Sequence, residues 1–356
     1  MRIEEVSKTH VKESGFILVT PFKLPLTFCF FYAIYWINGY KTAMTDAQYI
    51  FGPIPSRRLG RSLGVSPVPE KTCNYTCVYC QLGRTAHMIN ERRLFYPVDA
   101  IISELKIFLQ SGIPFDVITV VGEGEPTLYS GLGELIRQIK LLSEAPIAVI
   151  TNGALMHDKT VREDLSLADI VLPSLDAFDE ESWKKINRPY PHLDFKAALE
   201  GLIQFGAEYT GEIWLEIMLV EGINTSDTAL AALKKLCDSV QHERLYINTA
   251  VRPPAENWAK PASAETVQKA AALLNGISID SLSDGGFYSS IEDIYEAVIS
   301  IIRRHPMNRF EIESFVAARK DDSFPSCADL FSRLEKDAHV QTIDYKGIKT
   351  YRYKNR

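Results

Sequence analysis

The sequence predicts an α/β fold: a parallel sheet wrapped by helices, open or curled into a partial barrel, with a small unit of short helices and a hairpin after it. Three observations predict it. Short β-rich apolar runs alternate with amphipathic segments between Leu63 and Val251, and strand–helix alternation at that period means parallel strands joined by helical crossovers. Near residue 300 the alternation stops. The composition, 46% hydrophobic and 24% charged over 356 residues, is that of a globular chain able to bury a large core.

The elements follow in order. Six strands are read at 63–68 (LGVSPV), 115–122 (FDVITVVG), 147–153 (IAVITNG), 169–175 (DIVLPSL), 213–220 (IWLEIMLV) and 244–251 (RLYINTAV). Helices fall at 98–111, 131–144, 195–206 and 227–240, where apolar residues recur at helical spacing. IEDIYEAVISIIRRHP is a further helix, closed by Pro306. Beyond it, RFEIESFVAARK and CADLFSRLEK read as two short helices and HVQTIDYKGIKTYRYK as a hairpin turning near Lys346-Gly347. Two helices and a hairpin suggest a winged-helix-like unit. The chain therefore divides into an apolar extension (1–43), a core domain (44–300) and a winged-helix-like domain (301–356).

Charge narrows the partners. The net charge is −6, which gives no global attraction for nucleic acid or anionic lipid. The tail from Arg303 holds 12 Lys and Arg against 8 Asp and Glu, so it carries +4 and the rest of the chain −10. It is the basic end, with Lys346, Lys349, Arg352, Lys354 and Arg356 around one hairpin.

The N-terminal stretch FILVTPFKLPLTFCFFYAIYWINGY is apolar and aromatic, but Pro21, Lys23 and Pro25 interrupt it, and Leu24 to Ile37 is short for a membrane span. It lacks the basic leader and small-residue cleavage site of a signal peptide. A membrane-associating segment, an extra packing element and translation from a misplaced start are the readings. The sequence favours the last, with Met44 as a natural beginning. No firm membrane partner is expected, and the location is expected to be cytoplasmic.

Chemistry concentrates in TCNYTCVYCQLG. Cys73, Cys77 and Cys80 follow a C-x3-C-x2-C spacing, whereas Cys29, Cys237 and Cys327 are scattered. Clustered thiols in a reducing compartment mark a metal or redox site rather than disulfides. A cubane iron–sulfur cluster has four irons, so three protein thiolates leave one iron open for a substrate or cofactor. The alternative is zinc, with His87 completing a Cys3His set in a non-catalytic regulatory protein. The cysteines follow the first strand, at the carboxyl end of the sheet, where α/β folds build their sites.

With aromatic Tyr79 immediately before Cys80, this triplet resembles the signature of the radical S-adenosylmethionine (SAM) superfamily. The resemblance implies a [4Fe-4S] cluster on Cys73, Cys77 and Cys80 whose open iron chelates the amino and carboxylate groups of SAM. It implies reductive cleavage of a carbon–sulfur bond, giving a 5′-deoxyadenosyl radical that abstracts hydrogen from a substrate. It also implies a partial (β/α)6 barrel, in agreement with the six strands.

Superfamily members carry a Gly-Gly-Glu motif after the second strand. Here the stretch is VVGEGEPTL: Gly124 and Glu125 match its last two positions, and Glu123 replaces the first glycine. Gly124 allows close approach of backbone to a ligand, and the groups around Glu125 can accept hydrogen bonds from an ammonium. The later strand ends offer Asn152, Ser174, Asp176 and Glu216. The resemblance places SAM's ribose and carboxylate on such positions, best on Asn152 and Ser174, with Tyr79 packing on adenine or filling the core. Arg252, after the sixth strand, faces an anionic ligand or forms an ion pair.

FGPIPSRRLGRSLG, joined to KTCNYTCVYCQLGRT, resembles a subgroup related to the wyosine-forming tRNA enzymes. Arg57, Arg58, Arg61, Lys71 and Arg84 put positive charge near the cysteines, either to grip an anionic substrate such as tRNA or as counter-charge. The second set of cysteines of the wyosine-forming enzymes is missing, as is a flavodoxin-like module. The reading is therefore a radical SAM enzyme of unknown substrate, with tRNA guanosine modification as an alternative. A separate electron donor of flavodoxin or ferredoxin type is expected.

Overall fold

The computed structural model describes residues 48–279, 286–289, 291–319 and 327–354. The apolar extension, Cys29, Met44 and Arg356 lie outside the described residues.

Strands β1 (Ile50–Ser56) and β2 (Gly60–Val65) form an antiparallel pair. The short β3 (Thr72–Cys73) and β4 (His87–Met88) run parallel beside each other. Next come α1 (Val98–Gln110), β5 (Val117–Val120), a 3-10 turn (Pro126–Leu128), α2 (Leu132–Lys140) and β6 (Ile147–Thr151). After them stand α3 (Lys159–Leu165), β7 (Ile170–Pro173), α4 (Glu180–Ile186), α5 (Phe195–Glu208) and β8 (Glu212–Leu219). The core ends with α6 (Asp227–Asp238), β9 (Arg244–Thr249), α7 (Ala264–Leu274) and β10 (Ile277–Ser278).

The strands assemble in the order β1-β2-β5-β6-β7-β8-β9-β10, and every pairing except β1 with β2 is parallel. The end strands β1 and β10 do not pair among the described residues, so the sheet is a partial barrel and not a closed one. The six strands read from the sequence are β2, β5, β6, β7, β8 and β9. Their side chains Leu63, Val65, Ile118, Val120, Val149, Val171, Leu215 and Ile217 are buried, and removing such apolar surface from water is the main favourable term in folding.

Helix starts explain the crossovers. Asp158, Asp179, Asp194, Ser226, Ser263 and Asp293 cap α3 to α8 (Ile294–Arg304), each side chain accepting a backbone N–H of the first turn. Helices α3, α4 and α7 and the strand β1 were not among the expected elements. Helices α3 and α4 have seven residues each, too few turns to display an apolar period.

The C-terminal part runs α8, β11 (Met307–Asn308), α9 (Arg309–Ala318), α10 (Cys327–Lys336), β12 (Val340–Tyr345) and β13 (Ile348–Tyr353), with sheet order β11-β13-β12. Three helices and a three-stranded sheet closed by a hairpin are a winged-helix-like arrangement. Its core collects Val298, Ile302, Met307, Ile312, Phe315, Leu330, Leu334, Val340 and Tyr351. Helix α8 packs into this core, so the unit draws on more than the two helices and hairpin read from the sequence. Among the described residues, no helix is long and apolar enough to cross a membrane.

Candidate cofactor site

The parallel register puts the candidate residues on one edge. The loop from Ser66 to Cys80 leaves β2, Glu123–Glu125 follow β5, Asn152 follows β6 and Ser174 follows β7. Partners Val65–Val120, Val120–Val149 and Thr151–Pro173 set these strand ends side by side, and Ser174 bridges to Glu216 on β8.

The cysteine loop is clamped from two sides. On one side, Lys71 N–H donates to Glu123 O at 2.6 Å and Glu125 N–H to Thr72 O at 3.0 Å. A Cβ at Gly124 would lie 1.7 Å from Thr72 O, so only glycine lets the two backbones meet there. On the other side, Thr76 N–H donates to Asn187 O at 3.0 Å, Val78 N–H to Ile186 O at 2.9 Å and Tyr190 N–H to Asn74 O at 2.7 Å.

The sulfurs sit among donors. Cys73 Sγ accepts from Tyr75 N–H at 3.4 Å and from Asn152 Nδ2 at 3.7 Å, and Cys77 Sγ accepts from Asn187 Nδ2 at 3.5 Å. Burial pushes all three thiols up, so a thiolate form there requires a positive partner. A cationic cluster core held by these thiols would supply one. Three free thiols with hydrogen-bond donors around them fit an iron–sulfur cluster with one open iron. His87, the fourth ligand of the zinc reading, lies on β4 with its backbone paired in register with Thr72.

Glu125 is buried and used by the protein itself. Its Oε1 accepts from Thr127 N–H, Thr127 Oγ1 and Thr151 Oγ1, and its Oε2 accepts from Asn152 N–H at 2.8 Å. Burial raises its carboxyl above the usual range while these donors oppose the rise. Asn152 in turn holds Asn74 Oδ1 at 2.7 Å. Ser174 is half-buried, and its hydroxyl has no partner among the described residues. Tyr79 donates to Asp176 Oδ2 at 2.5 Å, and Asp176 also accepts from Asn187 Nδ2 and Met218 N–H, each at 2.8 Å. A continuous chain thus runs Tyr79–Asp176–Asn187–Cys77. Asn74 and Asn187, both buried, were missed by sequence reasoning because asparagines in loops look like ordinary turn formers.

The cations separate into groups. Arg58 is ion-paired to Glu216, which also accepts from Asn248, and burial lowers its guanidinium to about 10. Arg61 pairs with Asp116 and Arg84 with Glu256. Arg252 forms a two-pronged pair with Glu311 of α9 at 2.8 and 3.0 Å, so it ties the core to the C-terminal unit. Glu123, in the first-glycine position, lies by Arg304 of α8 at 3.4 Å.

Fold and site together place three free cysteines at the carboxyl-end mouth of a partial (β/α)6 barrel. The family description "Radical SAM superfamily" matches residues 69–233, which span both motifs. A UPF0026 protein of Methanocaldococcus jannaschii is 34% identical over 313 residues, 86% of this chain and 95% of that one. The chain belongs to the radical SAM superfamily, an enzyme class, and within it to the UPF0026 proteins.

A GTPase Obg of Brachyspira hyodysenteriae is 34% identical over 321 residues, 88% of this chain, and the chain spans only 47% of that protein's length. The present sequence has no Gly-Lys dipeptide, hence no G-x4-G-K-[ST] phosphate loop. A solved structure of TYW1 with a lysine-pyruvate adduct bound has a TM-score of 0.49 at 14% identity, covering 89% of each chain.

Proposed function

We propose that the chain holds a [4Fe-4S] cluster on Cys73, Cys77 and Cys80, binds SAM beside it, and uses the pair to act on a substrate by radical chemistry. The observation that carries this is the clamp between the two motifs: the Gly124–Glu125 strand is hydrogen-bonded to the residue before Cys73. When bound, the cluster and SAM supply reductive carbon–sulfur cleavage and a 5′-deoxyadenosyl radical.

The chain's own groups prepare that site. Asn152 and Asn187 donate to sulfur and stabilise thiolate charge. The backbone of 122–124 offers carbonyls to an ammonium, and Glu125 holds that turn and the end of β6 in one piece. Ser174 supplies a free hydroxyl at the next strand end. Tyr79, held by Asp176, walls the loop. The electron comes from a separate donor of flavodoxin or ferredoxin type, in a reducing cytoplasm that keeps the thiols free. The narrower reading, modification of a tRNA guanosine, is supported by the basic hairpin beside the cysteine loop, where Arg352 Nη1 reaches Gln81 O at 3.4 Å.

The test is anaerobic turnover with reductant and SAM. Release of 5′-deoxyadenosine that disappears in Cys77→Ala is expected. No release from cluster-loaded protein, under conditions where reduction of the cluster is verified, would overturn the proposal.

A further inference from the structure

Beside the cysteine loop lies a cleft of about 480 Å³, lined by Lys71, Arg84, Glu256, Trp258, Arg352 and Lys354 among others. Three segments far apart in sequence build it: the cysteine loop, the loop after β9 and the C-terminal hairpin. Its volume falls in the range of small-molecule sites.

Two of its cations converge. A point one Cβ out from Gly83 lies 3.6 Å from Lys71 Nζ and 3.8 Å from Arg352 Nη1. Neither is ion-paired to a carboxylate among the described residues: Arg352 donates to Gln81 O and Gln341 Oε1, and Lys71 Nζ has no hydrogen-bond partner there. Both side chains are partly buried, and the Glu70 carboxylate also acts on Lys71. Lys71 is fixed in place, in left-handed backbone with φ 53°. Its N–H is on Glu123 O and its carbonyl is taken by the N–H groups of Ala86 and His87. Like charges held close without a carboxylate between them repel, and an anion placed between them relieves that repulsion.

The lining holds four cations, Lys71, Arg84, Arg352 and Lys354, against one carboxylate, Glu256. Lys71 and Arg352 also face the thiol of Cys80. Trp258, 49% exposed, stands in the same lining, with the guanidinium of Arg188 5.7 Å from its ring centroid. An exposed indole beside unpaired cations is the pairing that takes a planar base and its phosphate together.

We infer that this cleft binds a nucleotide unit, its phosphate on Lys71, Arg352 and Lys354 and its base on Trp258. The inference shares the cysteine loop with the proposed function but is read by binding alone, so either can fail without the other.

The test uses the full, anaerobically reconstituted chain with saturating SAM, so that the cofactor site is filled. Tryptophan fluorescence is titrated with guanosine 5′-monophosphate, with unfractionated tRNA and with inorganic phosphate. Saturable quenching by the mononucleotide assigns a free nucleotide, and binding of tRNA alone assigns a nucleotide within RNA. Lys71→Ala and Lys354→Ala should each weaken binding about tenfold and reduce its salt dependence, and Trp258→Ala, read by competition with labelled probe, by about tenfold. Lys354, exposed just past the end of β13, is the variant least able to disturb folding. Absence of binding by both nucleotide probes, or inorganic phosphate binding as tightly as the nucleotide, or unchanged affinity in both Trp258→Ala and Lys354→Ala, would overturn the inference.

Discussion

Glu123 Oε1 lies 3.4 Å from Nε of Arg304, and both side chains are almost wholly buried. The carboxylate stands where the superfamily motif has its first glycine, and its partner comes from the first helix of the winged-helix-like unit. Arg304 also lies over the ring of Phe51 at 5.0 Å and donates to Gln48 O at 3.0 Å. The residue that departs from the motif is therefore held by the C-terminal unit: the strand end beside the cysteine loop is buttressed by a guanidinium from outside the barrel. Burial raises the Glu123 carboxyl and Arg304 opposes the rise.

Removing one partner leaves a buried charge without its counter-ion. Arg304→Ala should lower stability by about 3 kcal/mol, measured by urea unfolding. The double variant Glu123→Gly with Arg304→Ala should recover part of that loss, since both charges are gone. Additive losses in the cycle would show that the two do not interact.

Gly124→Ala should be severe. Its Cβ would meet Thr72 O at 1.7 Å, and backbone cannot step aside as a side chain can. The expected result is a loss of iron uptake with secondary structure retained by circular dichroism, because the clamp on the cysteine loop opens while the sheet stays paired. Normal iron content in this variant would show that the clamp does not position the loop.

Glu125→Gln should weaken SAM binding while leaving the three cysteines able to take iron. An amide can accept with only one of its two termini, and Glu125 accepts from four donors divided between both oxygens. The amide therefore meets a donor with a donor at one end. The readout is SAM affinity by equilibrium dialysis against iron content in the same sample.

His305 gives a pH signature. Burial, with the guanidinium groups of Arg252 and Arg57, holds its imidazole well below the usual range, whereas the unfolded chain titrates near about 6.5. The unfolded state thus binds a proton the native state refuses, and stability present above about pH 6.5 is lost as pH falls below it. Unfolding midpoints at about pH 7.5 and about pH 5.5 should differ less in His305→Gln than in the natural chain.

Much of this was legible in the sequence, for physical reasons. The six parallel strands announce themselves as apolar runs because both faces of such a sheet are covered. The cysteine triplet is legible because ligand spacing is local. Helices α3 and α4 are short, and their evidence is a cap, Asp158 or Asp179, and not a period. Asn187 could not be found from the sequence, since its place beside Cys77 depends on a loop pairing 110 residues away. The cations near the cysteines looked equivalent in sequence. Only the fold shows that Arg58, Arg61 and Arg84 are spent on carboxylates while Lys71 meets Arg352.

The most direct measurement is metal content after anaerobic reconstitution with iron and sulfide. The account predicts about four irons and four sulfides per chain, with an absorption band that dithionite bleaches. That content should be lost in Cys73→Ala, Cys77→Ala and Cys80→Ala and kept in Cys237→Ala, whose thiol is buried away from the loop. Stoichiometric zinc without iron uptake, or an unchanged cluster after loss of any of the three cysteines, would contradict it.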